Sequence, residues 1–331
     1  MPKSMQLVVL TSQQDFHTDA VIRRLSERRP DFGVVRVNTD NLPTNADFCF
    51  RWSSSGRIEK QKLKILDSGA SADCVSVIWY RKPDKSPPHP ALTDHSAQDC
   101  SVNEYRELLR SFPGFFPRAK WVNDYWQMQK YSSKANQIWI AEEVGLSVPE
   151  TVITNDVADV RRLAKRHSEI IIKPLAYHGF ANDDVYFSCF TNVLTAADLE
   201  KFQKEDLAYA PAIFQQRINK VQELRVTVIG EEVFACEIQT KPETLEHIDW
   251  RIESIDDLPH KIVEIPQEIS ARLKKMLSIM KLNFGAFDLI KDETGTYYFL
   301  EVNPNGQYFW IELITGAPLT EAMVSLIIRV L

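Results

Sequence analysis

The sequence predicts an α/β unit at the N-terminus followed by a longer α+β portion, and three observations predict it. Gln6-Leu7-Val8-Val9-Leu10, the helix-periodic stretch Asp19 to Arg29 and the apolar run Gly33 to Val37 give a strand, helix, strand rhythm. Glu223 to Ile229 and Val233 to Gln239 flank a turn at Gly230-Glu231. Phe284 to Ile290 and Tyr297 to Val302 are apolar-rich runs joined by Lys291-Asp292-Glu293-Thr294-Gly295, which reads as a β-hairpin.

Taken in order, Gln6 to Ser12 is a buried strand ending in a polar turn, with no Gly-x-Gly-x-x-Gly after it to support a dinucleotide site. Cys49 to Leu66 reads as short hairpin-forming strands and Val75 to Tyr80 as another strand. Arg81 to Pro90 holds four prolines and reads as a loop. Asn103 to Ser111 is a helix, and Phe112 to Trp121, rich in Pro and aromatics, closes the unit, with a boundary near residues 122–128. Asp124 to Val144 is one long helical pattern, ended by Gly145 and carrying Lys134. Thr151 to Thr154, a helix at Val157 to Arg166, and the strand Glu169 to Pro174 follow. A loop spans Ala176 to Asp184, then come a strand at Val185 to Phe190 and a helix at Ala197 to Lys204. Ala212 to Ile218 opens an antiparallel meander that continues through the strands at 223 and 233, and a helix at Gln267 to Met280 leads to the hairpin.

Composition narrows the function classes. With 331 residues, 44% of them apolar and 25% charged, the chain is an ordinary globular sequence with room for two or three compact units. No apolar run approaches the roughly 20 residues that span a bilayer, and Leu7 to Leu10 is too short for a signal-peptide core, so a cytoplasmic location and no membrane partner are expected. A net charge of -6 argues against a nucleic-acid partner; the Arg pairs at 23, 24, 28 and 29 and the basic run Arg161 to Arg166 read as solvated helix faces. The five cysteines are scattered, without Cys-x-x-Cys or zinc spacing, and read as small buried thiols.

The hairpin carries the densest chemistry. With its turn centred at Thr294 and Gly295, Asp288 faces Glu301, and Asn303 shares the face of Glu301. Three hard oxygen donors on one surface suit Mg²⁺ shared with nucleotide phosphates, and a one-residue slip would break the set. Solvent-facing strand carboxylates are the alternative, though the apolar neighbours would make ionised groups costly without a cation or donor. Lys134 and Lys173 are candidate phosphate contacts, Lys173 standing at the end of Ile170-Ile171-Ile172 before Pro174. Glu223 and Arg225 alternate with Leu224 and Val226. Glu223 could take ribose hydroxyls and Arg225 an anion, or the two could belong to cross-strand charge pairs. Gln215 to Ile218 would offer backbone groups to an adenine edge.

Read as an ordered set, these lysines, the strand-borne Gln-x-Ile with its following Glu, the hairpin Asp and Glu301-Val302-Asn303-Pro304-Asn305 resemble the ATP-grasp superfamily over residues 120–331. Ser76 to Pro83, His247-Ile248-Asp249-Trp250-Arg251 and Asn303 to Glu312 are more specifically similar to the graspetide (microviridin-type) peptide ligases, relatives of the RimK-like ligases. The resemblance implies a Rossmann-like pre-ATP-grasp domain (residues 1–125), then a two-lobed ATP-grasp fold with a central lobe (126–208) and a C-terminal lobe bearing the metal site (209–331). It implies Lys134 and Lys173 on ATP phosphates, Gln216, Arg217 and Ile218 as the adenine hinge, Glu223 on ribose, and Asp288, Glu301 and Asn303 on Mg²⁺. Arg225 and Arg251 would face an acyl phosphate, and His247 or Asp249 would take the nucleophile's proton. The loop after Lys173 departs from many ATP-grasp enzymes in having a single glycine, Gly179, between Ala176 and Ala181. The implied activity is ATP-dependent ester or amide formation between side chains of a ribosomally made precursor peptide, bound through leader and core, by an enzyme that is often a homodimer. A RimK-like ligase for a free amino acid or small acid, and a non-catalytic nucleotide- and leader-binding protein, are the alternatives.

Overall fold

The computed structural model describes residues 5–54, 58–65, 68–71, 74–83, 85–175, 179–182, 185–188, 191–239 and 258–330. His247, Asp249, Arg251, Cys189 and the first part of the loop after Lys173 lie outside the described residues.

The chain begins as its sequence predicts, with β1 (Gln6–Thr11), α1 (Phe16–Arg28) and β2 (Gly33–Asn38). A short α2 (Leu42–Asn45) leads into β3 (Ala46–Trp52), β4 (Ile58–Ile65) and β5 (Ser68–Ser71), a three-stranded antiparallel sheet. Then come β6 (Val75–Tyr80), α3 (His95–Arg110), α4 (Phe112–Phe115) and β7 (Lys120–Val122). The four strands β2-β1-β6-β7 form one all-parallel sheet. Val8, Leu10 and Ile78 pack beside Leu109, Phe112 and Phe116, while Leu7, Val9, Val77 and Trp79 face the other way. Burial on both faces is why β1 reads as an unbroken apolar run. α3 begins earlier than its expected start at Asn103, because the Asp94 carboxylate accepts the Ala97 N–H and caps a longer helix.

The helix expected from Asp124 to Val144 is two helices, α5 (Tyr125–Tyr131) and α6 (Lys134–Glu143). The break falls at Ser132-Ser133, where the Ser132 hydroxyl donates back to the Met128 carbonyl at 2.8 Å. Lys134 thereby becomes the first residue of a helix. Next are β8 (Thr151–Thr154), α7 (Val157–Arg166), β9 (Ile170–Lys173), β10 (Gly179–Asn182), β11 (Val185–Ser188), β12 (Asn192–Leu194), α8 (Ala196–Lys201), α9 (Lys204–Ala208) and β13 (Ala212–Gln216). The span Ala176 to Asp184, expected to be loop, contains β10, which pairs with β11. β13 does not open a meander with the next strand; it lies in an antiparallel sheet ordered β12-β9-β13-β8, over Val157, Val160 and Leu163 of α7.

The last part comprises β14 (Lys220–Ile229), β15 (Glu232–Ile238), β16 (His260–Val263), α10 (Gln267–Met280), β17 (Phe284–Asp292), β18 (Tyr297–Asn303), α11 (Phe309–Thr315) and α12 (Leu319–Arg329). Its antiparallel sheet runs β16-β15-β14-β17-β18. Leu224, Val226, Val228, Phe287, Leu289 and Val302 pack on Leu273, Met276 and Leu277 of α10 and on Ile140 and Ala141 of α6. The opposite face shares a core with the N-terminal sheet, where Ile229, Phe284 and Ala286 join Val9, Val77 and the α12 residues Leu319, Met323 and Ile327. Among the described residues no helix is long and apolar enough to cross a membrane.

Candidate active site

The hairpin places its carboxylates as predicted, by a route the sequence does not reveal. Gly295, at φ +88°, and the Asp292 carboxylate, which accepts from the Thr294 and Thr296 amides, form the turn. Near the turn Lys291 pairs with Tyr297 and Leu289 with Phe299, a register that would carry Asp288 to Leu300. A bulge between Asp288 and Leu289 leaves Leu300 unpaired and restores the missing step. Asp288 therefore faces Glu301, and Ala286 faces Asn303. Asn303 is exposed, while the Asp288 and Glu301 side chains are 19% and 22% exposed, shielded enough to need opposite charge.

Each carboxylate has that charge. Arg225, the register partner of Asp288 on β14, donates from Nη1 to Asp288 Oδ1 at 2.7 Å, and Lys134 Nζ lies 3.4 Å from Glu301 Oε2. The cross-strand alternative for Arg225 is thus realised, with Asp288 as its partner. Lys134 also donates to the Pro174 carbonyl at 3.3 Å, so the helix-borne lysine lies at the end of β9. Lys173, one residue earlier, donates to Gln215 Oε1 at 3.0 Å. Glu223 lies on the same sheet face as Arg225, nearly buried and paired with Lys220.

The hinge residues are partly engaged. The Gln216 amide donates to the Glu150 carbonyl at 2.8 Å, the Arg217 amide to the Glu169 carbonyl at 3.2 Å, and Arg217 Nη1 to Glu169 Oε2 at 2.9 Å. These bonds fasten the link between the central and C-terminal sheets.

Sequence reasoning missed the residue that registers α6 on the hairpin. Gln137, 3% exposed and one helical turn after Lys134, accepts the Val302 N–H at 2.9 Å and donates to the Val302 carbonyl at 2.8 Å. Val302 separates Glu301 from Asn303, so this clamp fixes Lys134 against Glu301. The available signal was a glutamine on the apolar side of a helix, beside Ile140 and Ala141.

Among the described residues no group of three His, Cys, Asp or Glu stands together as a metal cluster. The donor set is instead two carboxylates and the Asn303 amide, which fits a hard cation that keeps water and takes further oxygens from phosphate.

Residues 6–129 match the MvdD pre-ATP grasp domain family. A RiPP-associated ATP-grasp ligase from Chryseobacterium gregarium, solved with ADP and a leader and core peptide, superimposes with a TM-score of 0.88 at 26% identity, covering 98% of this chain and 97% of that one. The macrocyclase MdnC from Microcystis aeruginosa, bound to its precursor peptide MdnA, gives 0.85 at 23% identity over 98% of this chain and 100% of that one. The ATP-grasp ligase PsnB, complexed with a phosphomimetic variant of a minimal precursor, Mg and ADP, gives 0.74 at 20% identity, covering 98% of both chains. No curated protein sequence matches. Over 98% of its length the chain has the fold of the ATP-grasp ligases, its residues 6–129 match the MvdD pre-ATP grasp domain, and it is similar to peptide ligases of the kind its motifs resemble.

Proposed function

We propose that the protein is an ADP-forming ATP-grasp ligase that activates a carboxylate side chain of a ribosomally made precursor peptide and joins it to a hydroxyl or amine of the same peptide. The observation that carries this is the pairing of Asp288 with Glu301 on one sheet face, each neutralised by a cation, within a full-length likeness to a ligase solved with ADP, leader and core peptide. Asp288, Glu301 and Asn303 would hold Mg²⁺, which when bound supplies charge neutralisation at the transferring phosphoryl group. Lys134 stands between Glu301 and the end of β9, and Lys173 beside it, so both ammonium groups can meet phosphate oxygens without leaving the site. Arg225 presents a guanidinium fork at the same surface for the acyl phosphate. Because the Gln216 and Arg217 amides are already bonded, Ile218 is the hinge residue whose backbone meets the base, and Glu223 takes the ribose. Arg251, with His247 or Asp249 as proton acceptor, belongs to this reading through the resemblance alone.

The proposed division into residues 1–125, 126–208 and 209–331 is supported by a separate main sheet in each part, although β13 (Ala212–Gln216) belongs to the central sheet. A cytoplasmic homodimer that binds the precursor through leader and core completes the proposal. Incubation with ATP, Mg²⁺ and a precursor peptide rich in Thr or Lys and Asp or Glu should release ADP and remove one water mass from the peptide per ring, read by mass spectrometry. ADP release driven by free amino acids, with the peptide unchanged, would overturn it in favour of a RimK-like ligase.

A further inference from the structure

The loop that follows the proposed metal ligand Asn303 is gripped from the N-terminal unit. Side chains at or just beyond the carboxyl ends of three neighbouring parallel strands converge on it. After β7, Asn123 Nδ2 donates to the Phe284 and Pro304 carbonyls at 2.8 and 2.9 Å, while its Oδ1 accepts the Asn283 and Phe284 amides. Beyond β1, His17 Nε2 accepts the amides of Tyr308 and Phe309, both at 3.0 Å. After β6, Arg81 Nη1 donates to both the carbonyl and the Oδ1 of Asn305, each at 3.0 Å. Asn305 in turn donates its own amide to Asn303 Oδ1 at 2.9 Å. A continuous hydrogen-bonded path thus runs from Arg81 to the side-chain oxygen of Asn303.

Arg81 is a costly residue to place there. It is 1% exposed, its Nε and Nη2 have no hydrogen-bond partner, and its counter-charge, Asp15 Oδ2, is 3.9 Å away. Its backbone amide is tied to the Leu10 carbonyl at 2.9 Å and Tyr308 lies against its guanidinium, so the side chain is fixed. Replacing a buried ion pair as a whole by apolar side chains of similar size is often neutral or stabilising, so stability alone does not account for Arg81 and Asp15 together. We infer that Arg81 is a positioning residue for the metal platform: by holding Asn305 it fixes one lone pair of the Asn303 amide oxygen and leaves the other aimed outward. This rests on the Mg²⁺-ATP reading above.

The test measures Mn²⁺ binding by electron paramagnetic resonance to ATP-saturated full-length protein, with folding checked by thermal unfolding. Arg81→Met should weaken Mn²⁺ binding by about tenfold and raise the Mg²⁺ concentration for half-maximal ADP formation equally, the size expected when an outer-shell partner is lost. Arg81→Lys should recover part of the affinity, and KM for the peptide should not move. Asn305→Ala, in an accessible loop, covers the case in which Arg81→Met fails to fold; it should give the same direction of shift, and adding it to Arg81→Met should change little further. Folded Arg81→Met or Asn305→Ala with wild-type Mn²⁺ affinity overturns the inference. A wild-type protein that binds no Mn²⁺ with ATP overturns instead the reading beneath it.

Discussion

Along the face of the five-stranded sheet that looks away from α10, Ile229, Phe284 and Ala286 occupy one end, buried under α12 and against the N-terminal sheet. Two residues beyond Ala286, the same face carries Arg225, Asp288 and Glu301 side by side, with Asn303 opposite Ala286 at the boundary. Backbone pairing is continuous between them, so the ladder does not distinguish the ends; the side chains do. The dry end makes the face a rigid part of the core. The charged end, with every ionised group paired, leaves strong electrostatics on that rigid support, which is what a site working by positioning and charge requires. Cys236, the register partner of Arg225 on β15, lies buried beside the charged row, where burial pushes its thiol pKa up to about 11 and keeps it protonated.

Exchanging charge between the ends should separate function from stability. Asp288→Asn keeps the shape of the side chain and removes one anionic donor, so ADP formation should fall by roughly a hundredfold or more. Stability should fall only modestly, because Arg225 keeps an oxygen acceptor. Ala286→Asp puts a carboxylate on the fully buried neighbour along the same strand, whose register partners Thr227 and Asn303 are uncharged, and should destabilise the fold by roughly 3–5 kcal/mol in denaturant unfolding. If Asp288→Asn kept its turnover, Asp288 would not belong to the proposed metal platform.

A smaller effect tests how the ends meet. The chain leaves β18 at Asn303 and folds back so closely that a Cβ on Gly306 would come 2.4 Å from the Ala286 Cβ. Gly306→Ala should therefore push the loop and Asn303 away from the sheet, costing about 1–3 kcal/mol and most of the ADP formation. Ala286→Gly removes the obstructing atom, and the double variant should regain turnover while stability stays low, since glycine weakens a strand. Turnover that did not return would mean that the loop is not set by this contact.

How much of this was legible differs between the ends. Asp288, Glu301 and Asn303 could be read because a period of two and a Gly-containing turn fix which residues face one another. The Leu300 bulge left no trace in the pattern, and the reading reached the right pairing only because the bulge cancels a register step nearer the turn. The break at Ser132-Ser133 was hidden because serine is tolerated within helices. Recruitment of β13 into the central sheet was hidden because long-range pairing has no local signature. Least legible was the grip on the Asn303 loop: Arg81 and Asn305 were both in segments that drew attention, but 224 residues separate them, and His17, 291 residues from Tyr308, gave no sign at all. Buried polar contacts over such spans depend on docking between units, which neither propensity nor periodicity reports.

The smallest expected effect concerns that grip and its dependence on pH. His17 packs edge-on against Tyr308, with ring centroids 4.9 Å apart, and its Nε2 must be unprotonated to accept two amides. Burial, with the nearby charges of Arg81 and Lys82, lowers its pKa despite the opposing Asp15. In the unfolded chain the imidazole takes a proton near pH ~6.5. Between that value and the lower folded one, the unfolded state binds more protons, so stability is whole above about pH 6.5 and is lost as pH falls through this window. Asp15 acts separately: burial would raise its pKa, but His17, Arg81, Thr11 and Thr18 outweigh burial and hold it well below the usual carboxylate range, so its contribution fades only in stronger acid. His17→Gln offers an amide oxygen to the same two N–H groups without titrating. Between about pH 7.5 and 5.5 its melting temperature should fall less than that of the wild type, by on the order of 2 °C. Equal slopes would mean that His17 takes its proton at the same pH in the folded and unfolded chain, so that the two amides that anchor the start of α11 do not hold Nε2 unprotonated.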